Sequence, residues 1–173
     1  EERGLDRFDE VWDGVLHMVP PPHHEHVQIG VRLIAFLFPL TEAAGLLLGY
    51  EEGLIPPEEP GWNNYRVPDL MVFRPEIRTH RGAEGAAELV IEIRSPGDES
   101  FEKLPFYEHL GTREVLIIDR RTKAIRRWAH DGERLVGTLP DPQGRHHLMC
   151  LPVELWTEDQ CRHVATPERI VRI

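Results

Sequence analysis

Three segments decide how this chain folds: Tyr65-Arg66-Val67-Pro68-Asp69-Leu70-Met71-Val72-Phe73, Glu88-Leu89-Val90-Ile91-Glu92-Ile93-Arg94-Ser95-Pro96 and Glu114-Val115-Leu116-Ile117-Ile118-Asp119. Each has an apolar, partly β-branched core and reads as a strand, the first over Val67 to Phe73 and the second over Glu88 to Arg94. The third is almost continuously apolar, as a central strand covered on both faces is. Acids nevertheless stand inside the first two. A buried, unpaired carboxylate costs several kcal/mol, so acids among core strands usually have a metal, a cation or a chemical task.

Working outward, Asp13-Gly14 lies between apolar flanks and predicts a hairpin over Val11 to Val19, stopped by Pro20-Pro21-Pro22. Residues His23 to Gly45 predict a long helix, because Val27, Val31, Ile34 and Phe38 recur at helical spacing. Pro39 is expected to kink or end it. Leu46 to Ile55 reads as one strand, the turn-rich segment 56–64 follows, and Pro75 to Ala87 reads as a surface loop. After the cap-rich Ser95 to Ser100, a helix is expected from about Phe101 to Leu110 with Gly111 as its stop; Pro105 is tolerable only in a first turn, which leaves the start open. A turn at Arg120 to Lys123 leads to a strand over Ala124 to His130, and Asp131-Gly132 predicts a second hairpin into Arg134 to Leu139. In the tail, Leu148 to Leu155 could carry a short strand. The fold expected is α/β: a mixed β-sheet with flanking helices and an N-terminal hairpin.

The 173 residues suit one domain, with 40% hydrophobic and 29% charged residues. A net charge of −10 argues against a broad basic nucleic-acid surface, although a small cationic groove remains compatible with it. Cys150 and Cys161 cannot build a disulfide framework or a four-thiolate zinc site, so cytosol is the expected compartment. The longest apolar candidate, Val31 to Leu40, holds Arg32 and is too short to span a membrane. No signal-peptide pattern is visible, and the sequence opens on Glu1 rather than methionine, which leaves room for residues before it.

Strand alternation sorts the acids by face. Glu88, Val90, Glu92 and Arg94 share one face of their strand, and Val67, Asp69 and Met71 share one face of theirs. If the two strands pair, Asp69 and Glu92 converge. Two hard oxygen ligands, completed by water or a substrate phosphate, suit Mg²⁺ or Mn²⁺. A nearby lysine could then orient or deprotonate water, or stabilise developing charge. His26 (beside Glu25), Glu51 and Arg94 are candidate supporting groups, Arg94 as a contact to the phosphate. The run His23-His24-Glu25-His26 lacks zinc spacing, since consecutive helical residues cannot all face one ion.

An acid after proline followed by an acidic strand resembles the signature of the PD-(D/E)XK nuclease superfamily. The ordered set is similar to its Uma-type restriction endonuclease family. That set comprises Asp13-Gly14 before a proline run, His26 opening a helix, Val67-Pro68-Asp69, Val90-Ile91-Glu92 with Ser95-Pro96, Lys103 and Tyr107 four residues apart, and Gly111 before Glu114 to Asp119. The resemblance covers roughly Asp9 to Trp128. It implies a restriction-endonuclease-like core and a metal-dependent endonuclease hydrolysing phosphodiester bonds of DNA, with a homodimer as a plausible assembly. By position it implies Asp69 and Glu92 as metal ligands with Mg²⁺ or Mn²⁺, and Lys103 as the lysine, supplied by the next helix. Two departures bear on it. Arg94 occupies the usual lysine slot, and arginine stays protonated; Val15 stands where an acid commonly follows the Asp-Gly.

Plainer readings run alongside. Asp69 could be a turn residue, Glu92 a partner of Arg94 or Arg66, and Lys103 a solvated helix residue. Trp12, Trp62, Trp128 and Trp156 read as core or interface. The basic stretch Arg120, Arg121, Lys123, Arg126 and Arg127 could be a solvated hairpin or a phosphate-facing patch. The alternative function is a catalytically inactive nuclease-fold module acting in binding or assembly.

Overall fold

The computed structural model describes residues 9–57, 63–80 and 82–173. Most of the turn-rich segment 56–64, Trp62 included, lies outside the described residues. The first hairpin is as expected: β1 (Glu10–Trp12) pairs antiparallel with β2 (Val15–His17). Asp13 and Gly14 between them have φ of 49° and 85°, which a two-residue hairpin turn requires. Helix α1 (His24–Ala43) is capped by His23, whose Nδ1 accepts the Glu25 backbone N–H at 3.3 Å. It does not end at Pro39. Leu37 and Thr41, either side of the proline, are buried, and their packing outweighs one lost backbone bond.

The single strand expected over 46–55 is two strands, β3 (Leu47–Tyr50) and β4 (Gly53–Ile55), which join different sheets. Glu51 between them has φ of 51°, a left-handed conformation that breaks the extended run. Strand β5 (Leu70–Phe73) starts later than predicted, because Pro68 has no N–H to give and Val67 N–H donates to the Glu10 carboxylate at 2.7 Å.

The loop expected over 75–87 instead holds a 3₁₀ turn (Pro75–Ile77) and the strands β6 (Arg78–Thr79) and β7 (Gly82–Glu84), with Arg81 outside the described residues. Strand β7 pairs parallel with β4. That pairing brings Gly82, at φ 137°, so close to β4 that an added Cβ would lie 2.0 Å from the Gly53 carbonyl oxygen. Gly82→Ala is therefore expected to destabilise the protein by about 3 kcal/mol or more, combining left-handed strain with a backbone collision. Urea denaturation of the two proteins measures it.

Strand β8 (Leu89–Arg94), helix α2 (Leu104–His109), β9 (Glu114–Asp119), β10 (Ile125–His130) and β11 (Leu135–Thr138) follow the reading of the sequence, with α2 shorter than expected. Pro105 falls in its first turn, and Gly111 at φ 73° closes it. The tail differs more. Strands β12 (His146–His147), β13 (Glu154–Glu158), β14 (Cys161–Thr166) and β15 (Arg169–Arg172) form an antiparallel sheet of their own. The strand expected over Leu148 to Leu155 is largely connection. Its Leu148, Leu151 and Val153 are buried as packing residues rather than as ladder residues.

The main sheet has the order β11-β10-β9-β8-β5-β3, with β8 and β9 parallel and its other neighbours antiparallel. Alternation sends its side chains into two cores. Leu70, Val72, Leu89, Ile91, Ile93, Leu116 and Ile118 pack with α1 and the C-terminal sheet. Met71, Phe73, Val90, Val115 and Ile117 pack with Phe106 and Tyr107 of α2 on the other face. Buried Glu114 ties the main sheet to the connection between β12 and β13: it pairs with Arg127 at 2.9 Å and accepts the Met149 N–H at 2.7 Å. Among the described residues no helix is long and apolar enough to cross a membrane.

Candidate functional site

β5 and β8 pair with Leu70 opposite Ile91, which sets Asp69 across from Glu92. Both acids lie on one face by alternation, as expected, and that face is the one packed against α2, with Met71 and Val90. Asp69 stands one residue before the ladder begins. Its Oδ2 accepts the Ile93 N–H at 2.6 Å, so the carboxylate takes the place of the next ladder bond. Its Oδ1 lies 2.8 Å from Nε2 of His26, in the first turns of α1.

Glu92 is 3% exposed, and neither Arg94 nor Arg66 is its partner. Arg94 pairs with Asp119 at 2.7 Å. Arg66 is held between the rings of Trp12 and Phe106, at 4.3 and 4.2 Å, and donates to the Val11, Tyr65 and Asn64 oxygens. The partners of Glu92 come from α2 and the turn before it. Tyr107 donates its hydroxyl to Oε1 at 2.5 Å, and Lys103 Nζ lies 3.2 Å from Oε1 and 3.4 Å from Oε2. The loop 95–100 fixes this approach: the Asp98 carboxylate accepts the Ser95 and Ser100 N–H groups and the Ser100 hydroxyl.

A third acid, Glu10 of β1, completes the cluster. Its Oε1 lies 2.8 Å from Lys103 Nζ and its Oε2 accepts the Trp12 indole N–H at 2.7 Å. Reading the sequence missed Glu10, looking instead for an acid after the hairpin turn. The available signal was an acid two residues before Trp12, on the same strand face as a large aromatic. Tyr107 entered as part of a spacing pattern, but not as a site residue.

The charges explain the protonation. Burial pushes the Glu92 carboxyl up, Lys103 opposes this, and the charges of Asp69 and Glu10 add to it; the result is about 8. Burial alone would lower Lys103, but the Glu92 and Glu10 carboxylates outweigh it and hold the ammonium firmly protonated. Burial likewise works against a charged His26, and the hydrogen bond and charge of Asp69 overcome it, so His26 titrates above its ordinary range. Burial and the neighbouring acids hold the Tyr107 hydroxyl protonated, as the donor Glu92 receives.

These groups face a cleft of about 560 Å³ lined by Glu10, His26, Asp69, Glu92, Lys103 and Arg120, with Glu51 and the segment 18–22 also on its wall. Arg94 does not line it. Among the described residues no three His, Cys, Asp or Glu gather closely enough to bind a metal ion by themselves. The run 23–26 divides its tasks: His23 caps α1, Glu25 pairs with Lys123, and His26 meets Asp69.

Comparison with known proteins comes to the same fold. No curated protein matches the chain. Among solved structures, one similar to it is a "putative nuclease belonging to DUF820" from Anabaena variabilis, 18% identical, with a TM-score of 0.60 over 78% of this chain and 82% of that one. At that identity the likeness is one of fold, and the fold is restriction-endonuclease-like, with the N-terminal hairpin and mixed sheet described above. A family profile described as "Putative restriction endonuclease" covers residues 4–163. On that coverage the chain belongs to the Uma2 family, and nuclease-like describes its function at that level.

Proposed function

We propose that the protein is a Mg²⁺- or Mn²⁺-dependent endonuclease that hydrolyses phosphodiester bonds of DNA. One observation carries this: Asp69 and Glu92 sit opposite each other on adjacent strands, at one cleft, with the Lys103 ammonium behind them. The donor set fits a hard divalent ion. Such ions are commonly held by one or two carboxylates, with water and substrate phosphate supplying the rest, so no third protein ligand is needed. Glu92, kept protonated chiefly by burial and by the charges of Asp69 and Glu10 despite the nearby Lys103, is a group that a divalent cation relieves. Asp69 and Glu92 would hold it, and when bound it supplies a polarised phosphate oxygen and a more acidic water.

The chain's own groups prepare this site. The Ile93 N–H and His26 fix both oxygens of Asp69, so its orientation is set before any ligand arrives. Lys103, held protonated, acts through its charge: it positions the attacking water or stabilises the developing negative charge, and it does not abstract the proton. Arg94, tied to Asp119, is a structural group of the sheet rather than a phosphate contact.

Plasmid and single-stranded DNA incubated with Mg²⁺ or Mn²⁺ test the reading. Cleavage by the wild type and none by the Asp69→Ala/Glu92→Ala protein is the expected result; identical behaviour of the two overturns it. A homodimer, the commonest assembly and one suited to cutting two strands, is proposed with it and read by light scattering. The rival reading, an inactive binding or assembly module, draws on the engagement of both Glu92 oxygens by Lys103. Absence of saturable Mn²⁺ binding in calorimetry favours that rival.

Metal binding is expected to depend on pH in a defined direction. Below about 8 the Glu92 carboxyl carries a proton that the cation must displace. At pH 7, calorimetry in two buffers of different ionisation enthalpy should show about one proton released per Mn²⁺ bound, and markedly less at pH 9. A release independent of pH contradicts the assignment of Glu92 as a ligand.

A further inference from the structure

The basic stretch after β9 does not form one patch. Arg127 is drawn to Glu114, and Arg126 lies over the Phe101 ring, 5.4 Å from its centroid. Arg120 and Lys123 turn the other way, toward the start of α1, and are joined there by Arg162 of β14. All three converge on one carboxylate, Glu25. Lys123 Nζ is hydrogen-bonded to it, while Arg162 Nη2 and Arg120 Nη1 stand 3.7 and 3.8 Å away, beyond hydrogen-bonding range. Three cations around one anion leave the cluster net positive. Glu25 is itself 40% exposed at its side chain, whereas Arg162 is 4% exposed.

The cations are held in place by groups other than Glu25. Arg162 Nη1 donates to the backbone carbonyls of Asp119 and Arg120 at 3.3 Å each, and its Nε is buried without a partner, as is that of Arg120. Thr157 donates its hydroxyl to the Lys123 carbonyl at 2.6 Å, which secures a residue at φ 66°. Arg120 lines the acidic cleft, and Arg162 and Lys123 line, with Glu25, a second hollow of about 270 Å³. A cationic cluster thus adjoins the cleft, preorganised and capped by a single exposed acid.

We propose that Arg120, Lys123 and Arg162 bind a backbone phosphate of the nucleic acid next to the one held in the cleft, and that the Glu25 carboxylate occupies this place in the free protein. Phosphate offers what Glu25 offers, oxygens with negative charge, but with more of both, and guanidinium groups match it through paired N–H donors. A phosphodiester strand seated in the cleft would meet Arg120 on its wall, and its neighbouring phosphate would displace Glu25. This explains how an acidic chain of net charge −10 presents a local site for a polyanion. The inference rests on the nuclease reading for its choice of ligand, but not on hydrolysis.

The test is fluorescence anisotropy of a short labelled single-stranded oligodeoxynucleotide in EDTA, across a salt series, with the same sequence in RNA as a second probe. Without metal, binding is read apart from cleavage. Arg120→Gln/Lys123→Gln should weaken binding, and the slope of log K against log salt should fall by about 1 or more. Glu25→Gln should tighten binding on the order of fivefold, as removing a like charge beside a phosphate does. A merely structural ion pair predicts the opposite for Glu25→Gln: lower stability with no gain in affinity. Arg120→Lys, which keeps the charge, should retain most of the salt slope, and thermal melts exclude misfolding as the cause. A wild type that binds neither probe at low salt, or a Glu25→Gln protein with unchanged affinity, overturns the proposal. Cluster-dependent binding without cleavage would sustain it while removing the hydrolytic reading. Cleavage indifferent to the cluster would do the reverse.

Discussion

Glu92→Gln is expected to weaken Mn²⁺ binding by more than about 100-fold and to abolish cleavage, while making the metal-free protein more stable than the wild type at pH 8. The first half follows from its proposed place as a ligand: losing an outer-sphere partner of a metal site already costs about 10–100-fold, and losing a ligand costs more. The second half follows from burial. The Glu92 carboxyl ionises near 8 in the folded protein, against 4.5 for the ordinary group. Between those values the folded state holds a proton that the unfolded state has released. Metal-free wild type should therefore lose stability as pH rises from about 5 to about 8, by on the order of a few kcal/mol. Glutamine keeps the shape and the hydrogen bond from Tyr107 but has no charge to desolvate, so the variant should lack that slope. Urea denaturation in EDTA at a series of pH values measures both. Parallel stability profiles for the two proteins would contradict the buried, proton-holding carboxyl on which the metal site is argued.

Lys103→Met should behave in the opposite sense. Its ammonium, 12% exposed, stands between Glu10 and Glu92, and removing it leaves buried acids without their cation. Breaking such a pair costs about 3–5 kcal/mol, less whatever Glu92 recovers by holding its proton more tightly. Mn²⁺ binding should persist, since a competing positive charge has gone, and the cation should restore much of the lost stability by mass action. Cleavage should still fall about 100- to 1,000-fold, the scale for losing one preorganised charge at a reacting oxygen. Denaturation with and without Mn²⁺, alongside single-turnover cleavage, separates these effects. Loss of metal binding together with activity would make Lys103 a structural support of the acids rather than a group acting on the substrate.

The two variants divide the site along the line that its legibility follows. Asp69 and Glu92 were visible because a strand's period of two is fixed by backbone geometry, so a sequence states which residues share a face. Lys103 was visible only through a resemblance, since its reach depends on how residues 95–100 fold. That loop is held by the Asp98 hydrogen bonds, which no periodicity encodes. Glu10 was invisible for a related reason. It meets Lys103 because the hairpin docks against Val67 and Arg66, contacts spanning more than fifty residues of chain. Glu51 misled the strand reading because a left-handed turn at a charged residue is a tertiary outcome rather than a propensity. The C-terminal sheet was missed because its short strands lack a clean alternation: in β14, Arg162, Val164 and Ala165 are all buried.

By itself, then, the sequence determined the strands at the centre, the long helix, both Asp-Gly hairpins and the shared face of Asp69 and Glu92 once their strands pair. Local sterics and the burial of alternating side chains act over a few residues and leave their period in the chain. Only the tertiary structure decided that Glu10 and Tyr107 join those acids, that Arg94 leaves them for Asp119, and that Arg162 gathers with Arg120 and Lys123 around Glu25. Those meetings are between charged or polar groups far apart in the chain. Their energies depend on desolvation and distance, quantities that exist only once the fold has set which groups are buried together.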